Sequence, residues 1–486
     1  MPAELRPAID TVWVLVSASL IFFMQAGFAL IEAGVTSAKN IGNILMKNLM
    51  DFVVVAIVFY AAGFAIMFGD GNPFFGTGGW FGDGNPFGAL AAAQVPIEAK
   101  LLFQLMFAAV AATIVSGAMV ERTRFLPYLL ACACVGVVIY PVVGHWIWGG
   151  GWLAELGFLD FAGSTVVHTT GGLTALAGAV MVGPRLSWRG TGQARRERHQ
   201  RVPSTQSLYL FVLGTFILWL GWYGFNPGST LGAVPVTALI ALNTTLAGAA
   251  GALSAMTVAW VVFGRPDISM SANGALAGLV AITAGCRYVE SWAALPIGAV
   301  AGAALVAGVL LVDQRVDDPV GAVSVHGIGG VLGTLLAGVF ASPRLVAGAG
   351  IGRPGLVYGE TGQLAVQALG SAVVAAYVLT LAFGMFWLLK RTVGLRASRL
   401  AELEGLDVAE HGIVSADPAM RTELEALWGE HGTVADLDDE LARAAEPPED
   451  PWAAAGPGDA WPAGYEDDAW PPAGGWGPRT DRTWER

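Results

Sequence analysis

The residues of this 486-residue chain best equipped for chemistry are two histidines set in one repeated pattern. Asp160, Gly163, His168, Gly171 and Gly172 spell D-x-x-G-x-x-x-x-H-x-x-G-G, and the same spacing returns as Asp318, Gly321, His326, Gly329 and Gly330, 158 residues later. Each imidazole lies in an apolar, glycine-rich run. A neutral imidazole has one donor and one acceptor nitrogen, so two of them brought together can share a hydrogen bond, hold a small polar solute or pass a proton. Burial in hydrocarbon disfavours the charged ring, so both are expected neutral. A metal site is not expected, because two histidines with no cysteine or inward-facing acid on the same turn fall short of the usual three or four ligands. A single intramembrane histidine can simply lock packing by donating to a neighbouring carbonyl, whereas a matched pair favours a functional reading.

The other repeated positions have plainer roles open to them. Glycines three and four residues beyond each histidine let membrane helices approach closely. Asp160 and Asp318 stand eight residues ahead, roughly 12 Å along a helix, where a carboxylate caps a helix N-terminus. Capping or solvation is the expected role of Asp318, in the charged segment Asp313, Arg315, Asp317, Asp318. Asp160 borders two aromatic turns, His145 to Gly151 and Trp222 to Ser229, and is expected to be functional. Most of the 17 tryptophans suit a bilayer rim. In these two turns the aromatics, with Phe103 and Phe107, also suit a cage for a compact cation, an attraction of about 0.5–2 kcal/mol per ring.

What must position these groups is a membrane domain. The chain is 55% hydrophobic and 13% charged, about half the charge of an ordinary soluble domain. Apolar stretches long enough to cross a bilayer fall near 11–33, 44–69, 99–119, 125–148, 163–183, 206–226, 234–262, 272–289, 292–312, 320–341 and 363–389. The fold class is therefore an all-α polytopic membrane protein of eleven transmembrane helices. No small-residue cleavage site follows a short apolar region, so a cleaved signal peptide is not expected. Cys132, Cys134 and Cys286 lie in or beside apolar runs without framework spacing. The net charge of -12 is weighted towards the C-terminal segment, which leaves the membrane part nearer to balance.

Basic residues orient the spans. Arg122 and Arg124 follow the third, Arg185, Arg189, Arg195, Arg196, Arg198 and Arg201 follow the fifth, and Lys390, Arg391, Arg396 and Arg399 end the eleventh. These are odd-numbered exits, which put the N-terminus outside and the C-terminus in the cytoplasm; Arg287, Arg344 and Arg353 are exceptions. The two histidine motifs then lie on spans five and ten, running in opposite directions. That is a five-plus-five inverted repeat, halves about 10–185 and 206–341, a plan in which matching groups meet near the midplane.

The run Asp160 to His168, continuing to Gly183-Pro184-Arg185, resembles the signature of the ammonium transporter (Amt/Mep/Rh) family, Amt branch. Glu121 to Phe125, His145 to Gly151, Gly221 to Ser229, Val280 to Gly285 and Asp317 to Gly327 also match, in family order, over about residues 10 to 413. The resemblance implies a homotrimer in the cell (plasma) membrane with one narrow pore per subunit. Its substrate would be ammonium or ammonia, with methylammonium as an analogue, and it would be a transporter rather than an enzyme, with no cofactor and no nucleic-acid partner. By motif position, Phe107, Trp148 and Ser229, supported by Asp160, would recruit substrate. Phe107 and Phe225 would form the gate, and His168, His326, Trp222 and Thr283 would line the pore. Two neighbouring readings are an ammonium sensor acting through its tail and an Rh-like channel for neutral gas, the latter tending to lack the Trp148 cation site.

The first helix, Met24 to Gly34, departs towards a form with a glutamate, Glu32, a change expected to bear on trimer packing rather than conduction. A short duplication, Gly69 to Phe74 and Gly82 to Phe87, has the composition of turns. Residues 1–389 form the channel domain and 390–416 a regulatory tail, similar to the family tail that can meet PII-type signalling proteins. Residues 417–486, acidic and rich in Trp, Pro and Gly, are expected to be largely disordered.

Overall fold

The computed structural model describes residues 5–83, 87–188 and 205–413. The arginines from Arg189 to Arg201 and the segment 417–486 lie outside the described residues. Among the described residues, eleven helices are long and apolar enough to cross a membrane: α1 (Leu5–Val35), α2 (Ala38–Phe68), α3 (Ile97–Gly117), α4 (Phe125–Glu155), α5 (Ser164–Val182), α6 (Leu208–Thr230), α7 (Val236–Phe263), α8 (Ile268–Gly285), α9 (Ser291–Val312), α10 (Val323–Phe340) and α11 (Gly362–Thr392). Two short helices follow, α12 (Arg399–Glu404) and α13 (Leu406–His411). Among the described residues there is no strand, only isolated bridges between Gly71 and Gly76 and between Thr123 and Arg396. This is what hydrocarbon demands, since a helix satisfies its backbone groups within itself.

All eleven expected spans are present, with ends displaced where polar residues continue a helix. α1 starts at Leu5, ahead of the apolar run, because Pro7 fits a first helical turn and Arg6 donates to Asp10 at 2.9 Å one turn later. α2 begins in the polar stretch Ala38–Asn40, six residues before the hydropathy rises.

The repeat is legible in the packing. α1 lies along α6, and each contact in the first half has a counterpart five helices later: α1 with α3 and α6 with α8, α2 with α4 and α7 with α9, α3 with α5 and α8 with α10. Equivalent helices are five crossings apart, so they run in opposite directions. α11 stands outside the repeat, against α5 and α10.

Small residues bring the halves together. A Cβ on Gly172 of α5 would lie 2.1 Å from the Gly327 nitrogen of α10, and one on Gly330 would lie 2.5 Å from the Ser164 carbonyl oxygen. The two histidine helices therefore cross backbone against backbone, at the glycine four residues beyond each histidine.

One end of the bundle carries the N-terminus; the other carries the tail. On the N-terminal face Asn72 folds the loop after α2 into a turn, its Oδ1 accepting from the amides of Phe74 and Phe75 at 2.8 and 3.1 Å. This is the expected role of the first duplicated stretch; part of the second lies outside the described residues. On the tail face Arg122 is wholly buried and donates to four carbonyls, those of Ala118, Val120, Gly183 and Asp317. Arg185 bridges Asp317 at 2.9 Å and Glu121 at 2.6 Å. Two arginines that serve as orientation markers in the sequence are thus hubs of the fold.

Candidate functional site

Each histidine sits on a widened turn. Ser164–Thr169, carrying His168, and Val323–Ile328, carrying His326, are π-helical, a form found mainly as single turns at functional sites. The aspartate of each motif starts its turn. Asp160 accepts from the amides of Gly163, Thr165 and Val166 at 3.1, 2.9 and 2.9 Å. Asp318 accepts from those of Gly321, Ala322 and Val323 at 3.2, 3.0 and 2.8 Å. Gly163 and Gly321 supply positive φ angles of 113° and 83° at these entrances. In α5 the wide turn is held by hydroxyls: Thr169 donates to the Ser164 carbonyl and Thr170 to the Thr165 carbonyl, each five residues back. Both aspartates cap the same way for the same reason: each heads a turn whose first amides have no intrahelical acceptor, so the capping expected of Asp318 is shared by Asp160.

The crossing brings the rings together. The Nδ1 atoms of His168 and His326 are 3.1 Å apart, and their rings are stacked at 5.2 Å between centroids. One Nδ1 must donate and the other accept. His168 is completely buried and its Nε2 has no hydrogen-bond partner.

Above this pair the rings continue as a column. His168 stacks on Phe225 at 5.4 Å and beside Trp222 at 5.3 Å. Phe225 lies 4.1 Å from Phe107, and Phe107 meets Trp148 edge to face at 5.9 Å. Phe107 and Phe225 are both buried, so the column is closed between Trp148 and His168. Trp222 donates to Thr283 Oγ1 at 3.0 Å. Trp148 donates to the Asp160 carbonyl oxygen at 2.6 Å, and Ser229 donates to the Phe225 carbonyl at 2.7 Å. The loop carrying Asp160 is tied to the end of α8 by Phe161 and Ala162, which donate to the carbonyls of Ala284 and Thr283 at 3.0 and 3.2 Å. Every expected site residue thus belongs to one connected assembly. The Asp160 carboxylate is engaged by backbone amides, and it is the carbonyl of that residue that holds Trp148.

Ammonium Transporter Family is the description of the family model that matches residues 12–415. The chain belongs to the ammonium transporter family. Ammonium transporter Amt2 of Archaeoglobus fulgidus is 45% identical over 434 residues, covering 86% of this chain and 90% of that protein. Among solved structures, one described as a sensor Amt protein aligns with a TM-score of 0.75 at 36% identity, covering 84% of this chain and 99% of that one. Mep2 of Candida albicans aligns with a TM-score of 0.74 at 31% identity, covering 82% of this chain and 88% of its own. Membership of the ammonium transporter family places the chain among transporters rather than enzymes.

The interior also holds groups that the repeated motif does not point to. Phe28 of α1 lies 6.1 Å from His326 and extends the column of rings on the far side of the pair. Glu32, one turn further along α1, is buried and accepts from Ser116 at 2.7 Å and Asn48 at 3.1 Å. It faces α2 and α3 inside the subunit. Asp51 is also buried and accepts from Tyr128 at 2.8 Å and Thr113 at 3.1 Å, while Lys47 donates to the Thr123 carbonyl. Helices α6 to α9 contain no Asp, Glu, Lys or Arg. That asymmetry between halves is the sequence signal that flags Glu32, Lys47 and Asp51.

Proposed function

We propose that the chain conducts ammonium, as ammonia with or without a relayed proton, through a twin-histidine pore from the N-terminal face to the tail face. The observation that carries this reading is the His168–His326 pair, joined at Nδ1 and leaving His168 Nε2 without a partner under a closed column of rings. Trp148, Phe107 and Ser229 recruit the cation at the rim, where the indole and phenyl faces offer cation–π attraction and Ser229 Oγ can accept a hydrogen bond. Asp160 supports recruitment indirectly, by capping α5 and holding the Trp148 indole through its carbonyl. Phe107 and Phe225 form the gate. A bare cation is expensive in this dry passage, so ammonium gives up its proton at the gate, either back to water on the N-terminal face or to the histidine pair for relay, and neutral ammonia continues. The unpaired His168 Nε2 then offers it a hydrogen bond in place of those it lost to water. Trp222 and Thr283 line the route, their polar atoms engaged with each other. Potassium has no proton to release and is rejected.

The N-terminal face is the outer one in this reading, the subunit works as a homotrimer in the cell membrane, and residues 390–416 form a regulatory tail that can receive a PII-type protein. The test is current from the full chain reconstituted on a solid-supported membrane. Ammonium and methylammonium should give current and potassium none, and replacing both His168 and His326 by leucine should abolish selective ammonium current. Unchanged current and selectivity in that variant would sink the reading. A sensor role is the second reading, favoured by the similarity to a sensor Amt protein; absence of both ammonium current and radiotracer methylammonium uptake in the wild-type chain would support it.

A further inference from the structure

His145 meets two acceptors at once. Its Nδ1 lies 2.9 Å from the Met67 carbonyl oxygen and its Nε2 lies 2.8 Å from that of Asn72, and the residue is buried. A carbonyl oxygen can only accept, and a neutral imidazole carries hydrogen on one nitrogen alone. The neutral ring would turn a bare lone pair towards an oxygen inside hydrogen-bond distance, whereas a ring with hydrogen on both nitrogens satisfies both carbonyls. The surroundings suit that cation. Met67 stands in the last turn of α2, which ends at Phe68, and His145 in the last turn of the regular helix of α4, which ends at Ile147. Two helix C-termini thus turn their negative ends to one ring.

What the ring holds is the turn that carries Trp148. Besides the two histidine bonds, Trp146 Nε1 donates to the Phe74 carbonyl at 3.0 Å and the Trp152 amide to that of Pro73 at 3.1 Å, so this end of α4 is fastened to the loop after α2 on both sides of Trp148. The turn also closes back on His145, whose carbonyl accepts from the amides of Gly149 and Gly151 at 3.1 and 2.9 Å. A Cβ on Gly149 would lie 2.0 Å from the Met67 oxygen and 2.7 Å from His145 Nδ1, so the contact leaves no room for a side chain there. Trp148 has one N–H of its own, spent on the Asp160 carbonyl. That single bond leaves the tilt of the indole to the backbone turn beneath it.

We propose that His145, with hydrogen on both ring nitrogens, is the positioning residue of the recruitment site: it pins the Trp148 turn to α2 and so sets the angle of the indole face. This rests on the recruitment role of Trp148 proposed above. His145 acts through Trp148 and not on the substrate itself.

Two measurements test it. Gly144-His145 is the one Gly-His pair in the sequence, so solid-state NMR of the reconstituted full chain with isotope-labelled glycine and histidine singles out this ring without any substitution. Both ring nitrogens should appear as N–H at neutral pH; a bare ring nitrogen would overturn the proposal. Radiotracer uptake of methylammonium reads the positioning. His145→Gln can reach only one of the two carbonyls and should raise the apparent KM about twofold or more, by no more than Trp148→Leu does, with the maximal rate nearly unchanged. Combined with Trp148→Leu it should raise KM no further, because residues that act through one contact are not additive. A rise that persists in full in the Trp148→Leu background, or a fall in maximal rate alone, would also overturn it. An unchanged KM in Trp148→Leu would instead remove the recruitment reading, while the NMR signals still report the ring.

Discussion

At the scale of single residues, the site depends on which atom of a side chain is already engaged. Trp148 uses its indole N–H on the Asp160 carbonyl, so the ring face is what it has left for the cation in the proposed recruitment step. Replacing Trp148 by leucine removes that face and leaves the histidine pair in place. A loss of about 0.5–2 kcal/mol of cation–π attraction corresponds to a rise in apparent KM of roughly twofold to thirtyfold for methylammonium, with the maximal rate nearly unchanged. Radiotracer uptake at varied concentration checks this, and an unaltered KM would remove Trp148 from the recruitment step. The types and positions of these residues were legible in the sequence. Which oxygen of Asp160 faces Trp148 was not, because that is set by where the chain turns between the two residues.

At the scale of elements, what matters is how closely α5 and α10 cross. The pattern carries glycines three and four residues past each histidine, but the four do not have equal work. A Cβ on Gly172 would sit 2.1 Å from a backbone nitrogen, while one on Gly329 would find its nearest neighbour at 3.5 Å, an ordinary contact. Gly172→Ala should therefore push the helices apart, cost about 1–3 kcal/mol or more and weaken transport. Gly329→Ala should melt within about 0.5 kcal/mol of the wild type, as substitutions without a clash do. Thermal melts of the two variants in the same detergent decide it; equal melting temperatures would mean that the crossing is not limited at Gly172. Spacing locates such glycines, yet only the tilt of one helix across another separates the crowded position from the roomy one.

At the scale of the whole molecule, the tail and the helix links form a second structural centre on the face opposite the N-terminus. Asp407 accepts from the amides of Gly42 and Asn43 at the start of α2, at 2.9 and 2.6 Å, and Glu410 accepts from the amide of Phe125 at the start of α4 at 3.0 Å. Residues more than 280 positions away thus cap helices that lack caps of their own. Beside them, burial alone would push the carboxyls of Glu121 and Asp317 up, but Arg185, with Ser37 also on Glu121, holds them below their ordinary values of 4.5 and 3.8. For a carboxyl held low in the folded state, the stabilisation is fully present above its ordinary value and is lost as the pH falls through the folded one. Acid melting of the wild-type chain should therefore steepen below about pH 4. Arg185→Ala should cost about 3–5 kcal/mol at neutral pH, the penalty for stranding buried charges, and should flatten that acid limb. A variant whose acid limb matches the wild type would show that these carboxyls do not govern it.

The sequence by itself determined the number of spans, the repeat and the residues that meet where α5 and α10 cross. These are local properties, since hydropathy is read over one helix at a time and a repeated motif needs no partner to be recognised. The tertiary structure decided the rest: the shared hydrogen bond between two rings 158 residues apart, the wide turns that present them, the buried Glu32, Lys47 and Asp51, and the tail that caps α2 and α4. Each depends on groups distant in the chain arriving within about 3–6 Å of one another, a distance that hydrogen bonds and ring contacts require. Only helices already crossed and tilted in three dimensions set it.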